Sequence, residues 1–321
     1  MSTEKKLVEA SGHIQQAEKC LKTSFLKWNP DLDGAASEFI KAATCYKNAR
    51  ALPEARGAYL KAAEMQERMK SPFHAAKSYE QAGLISKENK ELDLAVQYME
   101  QASHMFQEHG TPDTAALCLE KAAKMVEQSK PARAVELYKK ASDVADIEDR
   151  PRQSAENIGK AARLLVKLER YEEAIACLSK EIAFYAAAEN YAMINKLVLA
   201  VVLIKLTLGD YVAADQFYRS SISHPGFTDS EECAAIDELL QAYDNGDEET
   251  ARRVLSLPLI KYMDNAFAKL SKSLVIPGGM RISKQGGGGV TEMIDNSQTA
   301  GGGAGGGAIQ LDEDELEGGL C

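Results

Sequence analysis

The sequence is poor in several things. It has one tryptophan, and aromatics make up 7% of its 321 residues. Its six cysteines, Cys20, Cys45, Cys118, Cys177, Cys233 and Cys321, include no Cys-x-x-Cys pair, and five lie in apolar helical patterns. That usage describes buried free thiols in a reducing compartment. No run of about 18 apolar residues occurs, which excludes an ordinary membrane-spanning helix. The longest candidate, Leu197–Leu208, is too short and contains Lys205. The first residues, MSTEKKLVEASG, have no apolar core, so no secretory signal is expected. Positive charge is in deficit: 38 Lys and Arg against 48 Asp and Glu, a net charge of −10. Nucleic-acid binding requires neutralised phosphates and is not expected. A cytoplasmic chain is.

Catalytic signatures are also missing. Gly159-Lys160 lacks the upstream glycine and following hydroxyl of a phosphate loop. The five histidines (His13, His74, His104, His109, His224) form no HExxH motif, and no GxSxG elbow occurs. Carboxylate pairs such as Glu172/Glu173 fall on polar helix positions. The expectation is a binding protein, not an enzyme, with no cofactor and no metal.

Alanine, in contrast, is abundant and periodic. A small residue is followed four later by a large one and three after that by another small one. Copies start at Ala35 (Phe39, Ala42), Ala55 (Tyr59, Ala62), Ala75 (Tyr79, Ala82), Ala95 (Met99, Ala102), Ala115 (Leu119, Ala122) and Ala134 (Tyr138, Ala141). Weaker copies start at Ser154 (Ile158, Ala161), Ala174 (Leu178), Ile194 (Val198) and Ala213 (Phe217, Ser220). The i, i+4, i+7 spacing marks one face of a helix. Steps near twenty residues give a helix of about 14 residues plus a short turn. Two steps make a hairpin of about 40 residues, within the range of helical solenoids. Proline or glycine lies between copies at Ser71-Pro72, Gly110-Thr111-Pro112, Ser129-Lys130-Pro131 and Arg150-Pro151, where a helix's first turn tolerates proline.

Before the repeats, residues 4–22 read as an amphipathic helix with Leu7, Ile14, Ala17 and Leu21 on one face. The turn TSFLKWNPDLD (23–33) carries Phe25, Leu26 and Trp28. Either it folds over the first hairpin as a lid, or it is an exposed apolar tip that meets a membrane. After the repeats, the apolar stretch 190–208 reads as a helix buried on several sides. His224-Pro225-Gly226 breaks the chain, Ser230 is placed to cap the next helix, and Glu248–Leu255 and Pro258–Leu274 read as two closing helices. Gly278–Ala308 is a glycine-rich linker expected to be flexible and disordered, and the tail holds Asp312, Glu313, Asp314, Glu315 and Glu317. The tail is either solvated or an arm for a basic partner.

Lysine often precedes the last alanine of a copy: Lys41, Lys61, Lys121, Lys140 and Lys160, with Lys180 in the same phase. One reading is a solvated helix surface. The other is that Lys121, Lys124, Lys160, Arg163 and Lys196 line one solenoid face for an acidic, rod-like partner.

Taken together, KTSFLKWNPDLDGAASEF (22–39), FHAAKSYEQAG (73–83), HGTPDTAA (109–116), GDYVAAD (209–215), KYMDNAFAKLSKSLVIPGG (261–279) and the terminal GGLC resemble the soluble NSF attachment proteins, most closely their gamma type. The resemblance implies an all-α fold: a TPR-like, right-handed solenoid of antiparallel helical hairpins forming a twisted sheet, capped by a C-terminal helical bundle. The divisions expected are 1–34 (helix and apolar loop), 35–222 (solenoid), 223–277 (bundle) and 278–321 (linker and tail). The family implies an adaptor at the cytoplasmic, peripheral face of membranes. Such proteins bind SNARE complexes built of syntaxin-type helices and recruit the hexameric ATPase NSF, which disassembles those complexes. Membrane contact falls to Phe25, Leu26 and Trp28, and SNARE contact to the five cations just named. ATPase contact falls to Asp244, Asp247 and Glu248, the tail carboxylates Asp312, Glu313, Asp314 and Glu315, and Leu320. Where the alpha type carries basic residues, this chain has Thr111 and Leu117, which implies a less basic SNARE-facing surface. A TPR-type scaffold or co-chaperone that binds peptide tails is the alternative; its clamps need recurrent Asn beside Lys, which the repeats lack.

Overall fold

A computed structural model describes residues 3–23 and 28–276. Among these residues the chain is helical throughout, with no strand. The elements are α1 (Thr3–Leu21), α2 (Leu32–Asn48), α3 (Leu52–Arg68), α4 (Pro72–Glu88), α5 (Leu92–Glu108), α6 (Pro112–Val126), α7 (Pro131–Ile147) and α8 (Pro151–Lys167). They continue with α9 (Tyr171–Ala187), α10 (Tyr191–Thr207), α11 (Tyr211–Ser221), α12 (Glu231–Asp244), α13 (Glu248–Leu255), α14 (Pro258–Lys261) and α15 (Asn265–Ser273). Each helix from α1 to α11 packs on the next, so the chain is a stack of helical hairpins.

The helices are longer than the twenty-residue step suggests. Eight of them, α2–α5 and α7–α10, have 17 residues each, because most turns take three. Those turns share one geometry. Their middle residue is left-handed: Arg50, Lys70, Lys90, Gly110, Asp149, Glu169, Glu189 and Gly209 all have positive φ. The following N–H reaches back five residues to a carbonyl of the last helical turn, as in Ala51 to Tyr46 (3.0 Å), Thr111 to Phe106 (2.8 Å) and Asn190 to Tyr185 (2.8 Å). This is a Schellman closure, which satisfies orphaned helix carbonyls within the turn. Two of these eight positions are glycine; the other six hold a side chain in the left-handed region, where L-residues are disfavoured. The turn between α6 and α7 differs. It has no positive φ, and Lys130 N–H bonds Val126 O at 2.7 Å. It sits at the 19-residue step from Ala115 to Ala134.

The periodic residues face inward. Ala95, Met99 and Ala102 are fully buried, as are Ala115 and Ala122 with Leu119 nearly so. Alanine at the contact lets neighbouring helix axes approach, and the large residue fills the space beside it. In α11 the register differs from the one read in the sequence: Ala214, Tyr218 and Ser221 are buried, not Ala213, Phe217 and Ser220. The Schellman turn at Gly209 restores the twenty-residue step from Ile194. In α1, Ala10 and Ala17 are buried while Leu7 is 38% exposed, because the close α1–α2 approach selects small side chains.

In α10, 11 of 17 residues are buried, against α9, α11, α12 and α15. Ser230 caps α12, its Oγ accepting from Cys233 N–H at 3.1 Å. The expected helix over 258–274 is two pieces. Asp264 interrupts it and caps α15 by accepting from Ala266 N–H at 3.0 Å. Helix α15 packs on α8 and α10, which seats the C-terminal helices on the solenoid.

Candidate partner-binding surfaces

The five cations read as a SNARE face lie on α6 (Lys121, Lys124), α8 (Arg163, Lys160) and α10 (Lys196). Alternate helices of the stack share a surface, and ion pairs run along it. Lys121 Nζ is 2.6 Å from Glu80 on α4. Glu120 receives Lys124 of its own helix at 2.6 Å and Lys160 of α8 at 2.9 Å. The carboxylates lie beneath: Glu80 and Glu120 side chains are 11% and 16% exposed, against 50%, 60% and 34% for Lys121, Lys124 and Lys160. Burial works to raise the Glu120 pKa, but the hydrogen bonds from Lys124 and Lys160 outweigh it and hold it low. Hydrogen bonding to Glu80 raises Lys121. The ammonium groups are the outermost charges of this surface. Lys160 also lies 5.8 Å from the Tyr138 ring centroid.

Lys196 is exposed and has no ion-pair partner among the described residues. Leu117, on α6, is exposed at 46%, one turn before Lys121, so the surface is partly apolar. The intervening helices carry a second row, in which Lys140 and Arg133 of α7 both reach Glu100 of α5 at 2.7 Å. The lysine phase thus divides between two surfaces.

Arg163 differs from its companions. Its guanidinium lies 3.3 Å from Glu181 of α9, whose side chain is 1% exposed, and 3.4 Å from Asp264. It also stands 5.7 Å from the Phe267 ring centroid. It faces the seam between α8, α9 and α15 instead of open solvent. Gly159 makes room, since a Cβ there would collide with both Glu181 and Arg163. Burial raises the Glu181 pKa, with Arg163 opposing.

The partners Glu80, Glu120 and Glu100 leave a signal in the sequence. Glu80/Lys121, Glu100/Lys140 and Glu120/Lys160 are separated by 41, 40 and 40 residues, which is two repeats. Glu181 and Asp264 have no comparable signature.

Asp244, Asp247 and Glu248 surround the Asn245-Gly246 turn between α12 and α13. Asp247 accepts from Thr250 N–H at 3.0 Å, and its pKa is lowered by the Thr250 side chain first and by that backbone bond second. Glu248 pairs with Arg252 at 3.4 Å; Asp244 is exposed. The same bundle holds a cavity of about 350 Å³ lined by Arg252, Lys261 and Lys272 among others, so it carries both signs of charge. Trp28, on the chain between α1 and α2, is 81% exposed and does not fold inward as a lid. Phe25 and Leu26, and the tail residues Asp312, Glu313, Asp314, Glu315 and Leu320, lie outside the described residues.

Residues 8–256 match the family model described as soluble NSF attachment protein, SNAP. The chain belongs to this family. The gamma-soluble NSF attachment protein of Dictyostelium discoideum is 27% identical over 271 residues, covering 84% of each chain. That of Arabidopsis thaliana is 26% identical over 152 residues, covering 46% of this chain and 51% of the relative. Among solved structures, the apo form of RapI aligns with a TM-score of 0.39 and 15% identity, over 78% of this chain and 73% of that one. The SNAP match spans both cation rows and the Asp244–Glu248 turn but ends before α14 and α15. Among the described residues no helix is long and apolar enough to cross a membrane.

Proposed function

We propose that this SNAP-family chain is a non-enzymatic adaptor that binds SNARE complexes along the α6–α8–α10 surface and recruits NSF through its C-terminal region. The observation that carries the reading is the arrangement of Lys121, Lys124, Lys160 and Lys196. Their ammonium groups stand outward, three over the better-shielded carboxylates of Glu80 and Glu120 and one without an ion partner among the described residues. Fixed cations spaced along successive helices suit an acidic rod of coiled helices lying across the stack, each contact weak and the set strong. Leu117 beside them fits a binding surface that is partly apolar.

On this reading Asp244, Asp247 and Glu248, with Asp312–Glu315 and Leu320, serve the ATPase side. Trp28, with Phe25 and Leu26, touches the membrane surface, making the chain peripheral and cytoplasmic. Continuous helix-on-helix packing gives the stiffness needed to pass force from ATPase to SNARE bundle. Arg163 is assigned to the α8–α15 seam, not to the SNARE contact. The test is pull-down of an assembled SNARE bundle by parent and Lys196→Glu chains at low and high salt. The variant should bind several-fold more weakly at low salt, with the two converging as screening increases. Equal binding at low salt places the contact elsewhere.

A further inference from the structure

The hairpin of α1 and α2 carries a cluster that the surfaces above do not use. Glu9 and His13 are four residues apart on α1 and so project from one face. Cys45, near the end of α2, reaches the same place. A carboxylate oxygen of Glu9, a ring nitrogen of His13 and Sγ of Cys45 all lie within 4.8 Å of one another. Glu9 is exposed, and His13 and Cys45 are half-buried. Behind the imidazole, Oε2 of Glu38 is 2.6 Å from Nδ1 of His13, and Lys41 Nζ holds Oε1 of that carboxylate at 2.7 Å.

A metal-bound histidine uses both nitrogens. One bonds the ion, and the other donates to a carboxylate that fixes the tautomer and ring plane. With Nδ1–H donating to Glu38, Nε2 is left as the ligand atom. We infer that Glu9, His13 and Cys45 form a three-ligand site for a divalent zinc-type ion, with Glu38 orienting His13 from behind and solvent in the fourth position.

The donor set points to zinc. Thiolate and imidazole are poor ligands for magnesium or calcium, which take oxygen, whereas zinc accepts sulfur, nitrogen and carboxylate oxygen in a tetrahedron. Bonds of about 2.0–2.3 Å around a tetrahedral ion put ligand atoms about 3.3–3.8 Å apart, so side-chain rotation closes the site. Lys6 is the opposing charge. Burial, together with the Glu9 charge, raises the Cys45 pKa and Lys6 only partly opposes this; the Lys6 ammonium is tied to the Asn48 carbonyl at 3.1 Å. Binding forms a Zn–S bond and releases the Cys45 S–H proton to solvent. The site lies toward the open end of the hairpin, away from the connection after Leu21. An ion there ties α1 to α2 where no chain joins them.

The full chain, stripped of metal, is titrated with Zn²⁺ in competition with a chromophoric chelator. One tight equivalent is expected. Cys45→Ser and His13→Gln should each weaken it at least tenfold, Glu38→Gln by about 10- to 100-fold, and Cys321→Ser should leave it unchanged. Co²⁺ loaded into the parent should give a thiolate-to-cobalt charge-transfer band that Cys45→Ser lacks. Helical circular dichroism on each variant separates lost binding from lost folding, and the parent's cobalt band needs no variant. No equivalent bound by the parent, no charge-transfer band, or binding retained in folded Cys45→Ser and His13→Gln chains overturns the site.

Discussion

Arg163 on α8 and Asp264 at the start of α15 meet at 3.4 Å, which ties α15 to the middle of the solenoid. The same guanidinium neutralises Glu181, a carboxylate almost wholly withdrawn from water. Truncating one partner of a buried pair leaves the other charge uncompensated, at a cost of about 3–5 kcal/mol. Arg163→Gln should therefore lower the unfolding free energy by about 3 kcal/mol in urea titration and expose α15 to hydrogen exchange before α4 or α5. A change under about 0.5 kcal/mol, the usual range for an open surface site, would return Arg163 to the solvent-facing set.

Gly159 tests the same seam by volume. Alanine normally favours a helix by about 1 kcal/mol over glycine. Here its methyl group would displace Glu181 and Arg163, and overpacking costs about 1–3 kcal/mol. Gly159→Ala should destabilise, whereas Gly57→Ala, where nothing lies within 4 Å of the added Cβ, should stabilise. Stabilisation by both would mean the seam is looser than described.

The left-handed turn residues give a prediction of opposite sign. Glu169 has φ 58, which is unfavourable for an L-residue by about 1 kcal/mol or more. Glu169→Gly should be neutral to stabilising, by up to about 1 kcal/mol after the extra entropy of unfolded glycine is counted. Gly110→Ala, at φ 81, should destabilise by about the same amount. Thermal unfolding of the pair checks this; matched shifts of one sign would contradict the turn geometry.

These turns also show what was legible. Repeat, phase and hairpin order followed from alanine spacing, because a face that must pack closely cannot hide its periodicity. Proline at the start of α4, α6, α7 and α8 marked those helix starts. The Schellman turns stayed silent where Arg, Lys, Asp or Glu occupies the position glycine usually takes. The helices are therefore longer than the spacing alone suggests, whereas the one-residue difference in the α11 register follows a turn that does hold glycine, Gly209. At the candidate surface, Lys121 and Lys160 could be read from phase, with Lys124 one turn along the same helix as Lys121. The seam role of Arg163 could not, since Asp264 lies 101 residues further on and belongs to no repeat. Asp264 likewise ends the run read as one helix from Pro258 to Leu274.

The pH response separates two groups of carboxylates. Glu181 has a raised pKa in the folded chain, so the fold holds its proton longer than the unfolded chain does. Stability should fall as pH rises from the ordinary carboxylate value through that raised one. Glu38 and Glu120 are lowered. Their contribution is present above the ordinary value and is lost as pH falls through the lowered one. In urea titrations across this range, Glu181→Gln should remove the decline on the upper side and leave the acid-side loss in place. An unchanged upper slope would show that Glu181 is charged throughout.

For the membrane side, Trp28 supplies an exposed aromatic beside a lysine-containing turn. Trp28→Ser should reduce flotation with liposomes containing anionic lipid, by several-fold, without altering thermal unfolding. Equal flotation of parent and variant would remove the membrane assignment.

The most direct measurement is NSF- and ATP-dependent disassembly of a purified SNARE bundle, with this chain as the sole attachment protein. The account predicts that disassembly requires the chain. It also predicts severalfold slowing by Lys160→Glu/Lys196→Glu at low salt, with folding intact by circular dichroism. Disassembly at the parental rate by the folded double variant, or no stimulation by the parent, would contradict it.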